Sequence, residues 1–398
     1  MRLLYLGCFV EPSQQDYLER QAKAVITVST TTFQRAFLSG FEKSRIKPDI
    51  INCPDIGSWP QRCKKIKIPS STVSYYGMRC RNVSFYNISY LKRKSITASL
   101  EKEIDKWMID KKDEKVFIIV YSMIYSYLKA AIDTKKKYNN VEVCCIVLDL
   151  PEFFGDNSSL LYKVTSGSTK KTYELVYQVD SFILLTKYMT KPLQVGKKPW
   201  MLMEGIYAPR LFEPVQKHSK TVLYTGKLDK RFGLRELVDN FSSLDGDIEL
   251  WICGNGLDKK YVEEAARKDR RIKYFGQVKQ DRVLKMQREA SLLINPRKPE
   301  GEYTKYSFPS KTMEYMASGT PTLMYRLPGM PIDYDDKVVL FNDMSDKTFC
   351  TILKEWLNKP QEELDAFGEK ARKFILDNKT AEKQIARFLD FITKIYGE

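Results

Sequence analysis

Histidine is nearly missing from this chain of 398 residues, where His218 is the only one. The eight cysteines (Cys8, Cys53, Cys63, Cys80, Cys144, Cys145, Cys253 and Cys350) are scattered, with no C-x-x-C pair. Together these absences argue against a Cys/His metal site, and isolated thiols suit a reducing compartment. No apolar run approaches the roughly 18 residues that span a bilayer. The opening MRLLYLGCFV has one Arg, a very short apolar core and no small-residue cleavage site, so it reads as a buried first strand, not a secretory leader. Internal repeats and low-complexity linkers are absent. So are helix-turn-helix, RNP and zinc-finger patterns, which leaves no support for a nucleic-acid partner.

What is present in excess is positive charge, +16 overall. Residues 1–205 hold 32 Lys and Arg against 20 Asp and Glu, a balance of +12, and the remainder holds 34 against 30, a balance of +4. The excess is densest in WPQRCKKIKIP (59–69) and LKRKS (91–95). Trp59, Ile66 and Ile68 interleave there with Arg62, Lys64, Lys65 and Lys67, a mixture suited to an anionic membrane surface or a phosphorylated partner. A plain solvated basic face is the alternative.

The length favours two domains. In the second half, short apolar runs at 221–225, 247–253, 272–275, 290–295, 320–325 and 337–341 alternate with amphipathic helical patterns such as 256–268 and 279–288. Continuous apolar strands alternating with helices indicate a parallel sheet covered on both faces. The first half repeats the theme, with strands expected at 2–6, 48–52, 116–121, 141–148, 181–185 and 199–203, and helices at 98–111, 125–138 and 159–178. Residues 54–97 look irregular, with inserted strands and loops. The boundary is expected within 203–220, where Pro and Gly cluster. The expected plan is therefore a first Rossmann-like domain over 1–205 and a second over 206–380. The closing helix, within 381–398, returns to the first domain.

In open parallel sheets, ligands bind beyond the carboxyl ends of the strands. Three segments of the second half carry suitable residues there. YTGKLDKRFG (224–233) ends a strand at Gly226 and supplies Lys227, Lys230 and Arg231. CGNG (253–256) needs the backbone freedom of Gly254 and Gly256 around Asn255, and opens a helix. SFPSKTMEYMASGTP (307–321) begins a short helix at Pro309, Ser310 and Lys311, carries Glu314 within it, and stops at Gly319. Helix N-termini offer free N–H groups and a positive dipole end to phosphate. Glu314 cannot bind phosphate, but it can accept hydrogen bonds from a ribose diol. Each signal alone is weak, since surface charge, an ordinary turn and a solvated Glu would look the same; their joint order is what points to a nucleoside diphosphate.

Over residues 221–345 these segments resemble the nucleotide-sugar domain of GT-B glycosyltransferases, group 1 type, specifically the retaining family 4. YTGKLDKRFG is similar to the family's strand–GRL–KG loop, ELWICGNG and YFGQV (with Gln277 and Val278) to its base pocket, and SFPSKTMEYMASGTP to its segment with two Glu separated by seven residues. The resemblance implies a GT-B fold, two Rossmann-like parallel-sheet domains facing a central cleft, with an acceptor domain first and a donor domain second. It places Glu314 on ribose, and Gly226, Lys230, Gly254, Asn255, Gln277, Val278, Glu302, Tyr306, Phe308, Pro309, Ser310 and Lys311 around the donor.

Departures from the family pattern are specific. The first Glu position falls on Tyr306, with Glu300 or Glu302 nearby. Lys227 replaces the Arg of the GRL triplet, and Phe232 takes the usual Lys position, which makes Arg231 the expected diphosphate partner. The first-domain His common in the family has no counterpart. There VLDLPEFFG (147–155) brings Asp149 and Glu152 to the expected cleft, with Asp149 as a mere strand-end cap the alternative.

The activity implied is hexosyl transfer with retention, without a metal ion or other cofactor, from a UDP-sugar to a saccharide acceptor in bacterial surface polysaccharide synthesis. The acceptor is expected to be polyprenyl-diphosphate-linked, with a soluble one as the alternative. The expected location is cytoplasmic, peripheral at the inner face of the cell membrane. Competing readings are a nucleotide-sugar epimerase of the same architecture, and a non-catalytic basic protein that binds membrane or nucleic acid.

Overall fold

The computed structural model describes residues 1–23, 28–153, 169–210 and 213–397. The start of the helix expected over 159–178, the end of VLDLPEFFG, and Leu211 and Phe212 in the expected boundary fall outside these residues. The chain divides into two compact units, Met1–Ile206 with Ala381–Glu398, and Tyr207–Thr380.

The first unit contains β1 (Arg2–Gly7), β2 (Asp49–Asn52), β3 (Lys67–Ile68), β4 (Ser71–Tyr75), β5 (Met78–Asn82), β6 (Phe85–Tyr86), β7 (Val116–Tyr121), β8 (Val141–Val147), β9 (Ser181–Leu184) and β10 (Trp200–Leu202). Eight of them form one sheet in the order β10-β9-β8-β7-β1-β2-β5-β4, parallel throughout except for the β4–β5 hairpin. β7 (VFIIVY) is buried at every residue, which accounts for its lack of polar alternation. The hairpin turns through Tyr76 and Gly77, both left-handed (φ 50 and 72), the geometry of a tight two-residue turn. β3 and β6 make a separate antiparallel pair.

The stretch 54–97 thus holds strands as expected, but its last part is helical. The helix runs Ser89–Met108, beginning nine residues before the expected 98. The basic run at 92–94 masked its periodicity, because Ile96, Leu100, Ile104 and Met108 are its buried stripe. Helices Pro12–Gln21 and Val28–Ser39 were also not foreseen. The first buries only Leu18 and owes its start to Pro12 behind the capping Glu11, not to an apolar stripe. Of the helix expected over 159–178, residues 169–176 are observed.

The final helix, Ala381–Tyr396, belongs to this unit through aromatic packing. Phe388 is fully buried, its ring 5.6 Å from Phe37, 6.3 Å from Phe41 and 6.3 Å from Phe117.

The second unit contains β11 (His218–Lys227), β12 (Glu249–Asn255), β13 (Ile272–Gly276), β14 (Ala290–Asn295), β15 (Thr322–Met324) and β16 (Val339–Leu340). All pairs are parallel, in the order β13-β12-β11-β14-β15-β16. This is the doubly wound order, with its switch point between β11 and β14. Helices Leu234–Ser242 and Asp346–Leu357 pack Leu237, Phe241, Phe349 and Leu353 onto the strand residues Val222, Leu250, Ile252 and Leu292 in one core cluster.

Removing the Phe388 ring leaves a void bordered by three stiff rings that collapse poorly into it. Phe388→Ala is expected to lower stability by about 3–5 kcal/mol, read from urea unfolding of the full chain.

Candidate functional site

At the switch point, the connections from β11 and β14 leave in opposite directions, and the carboxyl ends of the strands are left open between them. The loops there are in close backbone contact. At the strand ends a Cβ on Gly254 (φ +144) would lie 1.8 Å from the Gly226 carbonyl oxygen, and in the loops beyond them a Cβ on Gly256 would lie 2.2 Å from that of Leu228. Gly233, at φ +74, would place a Cβ 2.1 Å from the Pro296 carbonyl oxygen. The loops after β11, β12 and β14 therefore form one continuous rim.

The helix Ser310–Ala317 is tied to the end of β11. The Thr225 N–H donates to the Tyr315 hydroxyl (2.8 Å), and the Lys311 Nζ donates to the Thr225 carbonyl (2.7 Å). Desolvation lowers the Lys311 pKa, Glu314 opposing, although part of the side chain remains exposed. Glu314 is half-buried and accepts from Gln287 Nε2 (2.6 Å). Gln287 is fully buried; its carbonyl accepts from Thr320 Oγ1 (2.8 Å), which in turn accepts from Lys217 Nζ (2.7 Å). Gln287 was not singled out from the sequence. Its signal was a polar residue on the apolar side of a helix, beside Leu284 and Met286.

The loop after β11 departs from expectation in one respect. Asp229, 3% exposed, accepts the Arg231 N–H (3.0 Å) and holds the Arg231 guanidinium through Nε (3.1 Å) and Nη2 (2.7 Å). The pairing lowers the Asp229 pKa. Arg231, half-exposed, thus already has a carboxylate partner, whereas Lys227 and Lys230 extend into solvent.

Among the other expected donor residues, Asn255 turns its Oδ1 back to the Gly256 N–H (2.9 Å), Gln277 is exposed, and Val278 packs against the cluster containing Trp251 and Leu293. Glu302 is exposed at the start of a short 3-10 turn that ends at Tyr306, which is half-buried. Phe308 is buried with its ring 5.2 Å from Tyr334, so it anchors the loop ahead of Pro309. One residue on this rim was missed altogether: Arg297, two residues past β14, whose Nη2 donates to Ser307 Oγ (3.0 Å).

Residues 211–374 match the family described as glycosyl transferases group 1. Across the whole chain, solved structures are similar in fold. One is sucrose-phosphate synthase from Thermosynechococcus elongatus, at TM-score 0.66 and 12% identity, covering 99% of this chain and 100% of that one. Another is a point mutant of S. aureus TarM in complex with fondaparinux, α-GlcNAc-glycerol and UDP, at TM-score 0.61 and 12% identity, covering 98% and 99%. A third is Anabaena Alr3699/HepE in complex with UDP, at TM-score 0.62 and 12% identity, covering 98% and 100%. No curated protein matches the sequence. The fold is GT-B.

In the first unit of this GT-B chain, Asp149 follows β8 with an exposed face, and desolvation raises its carboxyl pKa. Glu152 accepts from the Tyr173 hydroxyl (2.9 Å). The basic segment is partly as expected. Arg62, Lys64, Lys65 and Lys67 are exposed and Trp59 is half-buried, but Ile68 is buried, because its place in β3 turns it inward opposite Phe85. Ile66 is 46% exposed, and helix Ser89–Met108 adds Tyr90 and Leu91, at 80% and 42%. His218 begins β11, nine residues before Lys227, with its ring against Trp251.

The Lys217 ammonium behind Thr320 carries a pH signature. Burial lowers its pKa to about 8, against about 10.4 in an unfolded chain. Between those values the unfolded chain binds more protons, so this group's contribution to stability rises with pH. Urea unfolding from about pH 8 to about pH 10 is expected to show this rise in the parent protein and to lose it in Lys217→Met.

Proposed function

We propose that this chain is a retaining glycosyltransferase that takes a hexosyl group from a UDP-sugar and passes it to a saccharide acceptor. One observation carries the reading: at the switch point of a doubly wound sheet, a helix N-terminus presents Lys311, and Glu314 follows within the same helix. That combination suits a diphosphate beside a ribose. The group 1 match over 211–374 supports it, and so do similar folds whose structures hold UDP.

The reaction is a front-face transfer. The bond from the anomeric carbon to the diphosphate oxygen breaks, and a bond to the acceptor oxygen forms on the same face. The acceptor proton passes to the departing phosphate, so neither a protein nucleophile nor a metal ion takes part. Protein groups supply position and stabilise the charge growing on the diphosphate: Lys311 with its helix N-terminus, Lys227, and Arg231 steadied by Asp229. Asp149 and Glu152 orient hydroxyls from the first domain. The acceptor is a polyprenyl-diphosphate-linked saccharide of a bacterial surface polysaccharide, reached at the inner face of the cell membrane. Exposed Lys64, Lys65 and Lys67 with Ile66, Tyr90 and Leu91 fit docking on anionic lipid. Among the described residues, no helix is long and apolar enough to cross a membrane.

Glu314→Gln is expected to weaken UDP binding by roughly 1–3 kcal/mol in calorimetry while the fold persists. Unchanged affinity and turnover would remove Glu314 from the ribose. Arg231→Ala is expected to slow turnover of labelled UDP-sugar by about 100-fold, with Lys restoring only part. A silent Arg231→Ala would reduce its role to holding the loop with Asp229. On anionic vesicles, flotation at low salt is expected to fade at high salt and when Lys64, Lys65 and Lys67 become Glu, each Lys contributing about 1 kcal/mol. Indifference to anionic vesicles at low salt would favour a soluble acceptor.

A further inference from the structure

Cations on the switch-point rim differ in how they are satisfied. Arg231 rests on Asp229, and Arg235 on Asp258 through Nε (2.9 Å). Lys311 has the Thr225 carbonyl, with Glu314 close enough to favour its charge. Arg297 has no carboxylate partner among the described residues. Its guanidinium carbon lies 4.8 Å from the centre of the Tyr303 ring and 5.8 Å from that of Phe232, and Nη2 donates to the Ser307 hydroxyl. Nε is buried and has no hydrogen-bond partner.

A half-buried guanidinium packed between two rings, with only the hydroxyls of Ser307 and Tyr303 and no carboxylate to satisfy it, is costly unless an anion completes it. Burial also lowers its pKa, and the opposing influence comes from Tyr303 alone. The cost falls at an informative place. Arg297 follows β14, one of the two strands of the switch point. Phe232 lies in the loop after β11, where Lys227, Lys230 and Arg231 cluster. Ser307 opens the segment that carries Lys311 and Glu314. The guanidinium therefore touches two of the three segments that the donor reading assigns to the ligand.

We propose that Arg297 binds an oxyanion of the nucleotide-sugar donor. The inference rests on the donor reading above and adds to it the cation that sequence comparison with the family does not single out. A planar fork with two parallel N–H donors matches a phosphate or a carboxylate equally well. Two parts of a donor offer that chemistry, the diphosphate and the carboxylate of a uronic acid sugar.

The experiment is calorimetry on the full chain with UDP, UDP-glucose and UDP-glucuronic acid, comparing the parent with Arg297→Met and Arg297→Lys. Met keeps the stacking length between the rings without the charge. If Arg297 holds the diphosphate, Arg297→Met weakens all three ligands alike, by about 10-fold or more, as expected for a lost charged hydrogen bond. If it holds a sugar carboxylate, UDP and UDP-glucose bind as before and UDP-glucuronic acid alone loses about 10-fold or more. Arg297→Lys keeps the charge but not the fork, so it falls between parent and Met in whichever arm responds. It also stands in should the Met variant fail to fold; Arg297→Lys with parent affinity for all three ligands then overturns the proposal. A folded Arg297→Met that binds all three as the parent does overturns it as well, and leaves Arg297 as a brace between Phe232 and Tyr303. The donor reading fails separately. If the parent binds none of these, nor GDP, ADP or dTDP, that reading falls and takes this one with it. If Glu314→Gln loses UDP while Arg297→Met keeps every ligand, only the inference about Arg297 is lost.

Discussion

Thr225 sits where the second sheet runs out of partners. β11 is paired with β14 as far as Leu223 and Leu293, while on its other side it remains paired with β12 through Lys227 and Asn255. Past Leu223, the edge of β11 that had faced β14 is left with an amide and a carbonyl that no strand satisfies. A buried backbone pair of this kind must find other partners. Tyr315 and Lys311 provide them, one turn apart on the same face of the helix Ser310–Ala317. The helix is thereby fixed in angle and depth against the strand end. Its N-terminus, Glu314 and the Gln287 support behind it all take their positions from that attachment.

The same arrangement explains why basic groups here are kept partly out of water. Lys311 directs its ammonium to a main-chain carbonyl, and Arg297 lays its guanidinium against a hydroxyl and two rings. Both have pKa values lowered by desolvation. Placements of this kind are unfavourable for a cation by itself and are improved by an anion beside it, with no need to move the group first. Surface lysines such as Lys227 and Lys230 offer no such gain, since water already satisfies them. Asp229 plays the opposite part, holding Arg231 in one orientation by taking up some of its charge.

Much of this was legible in the residues. Apolar runs without alternation announced parallel strands, and all twelve that were expected are present, with ends displaced by a few residues. Gly254 and Gly256 marked tight loops, and Lys311 and Glu314 marked the helix that carries them. What stayed hidden shares a cause. Helix Pro12–Gln21 buries one residue and so has no stripe to detect. Ile68 reads as an apolar residue in a basic surface, yet pairing with β6 turns it inward. Asp229 reads as one more charge in a charged loop, and only its 3% exposure and its hold on Arg231 separate it from the others.

Local pattern settled the alternation of strand and helix, the basic first half and the turn positions that require glycine, because each depends on residues close together in the chain. Partnership was settled by folding. Gln287 meets Glu314 across 27 positions and Lys311 meets Thr225 across 86. Arg297 comes to lie between Tyr303, six residues on, and Phe232, in a loop from another strand. Whether a charge is paired, solvated or held in waiting depends on which side chains the sheet order brings to one rim, and no spacing along the chain encodes that order.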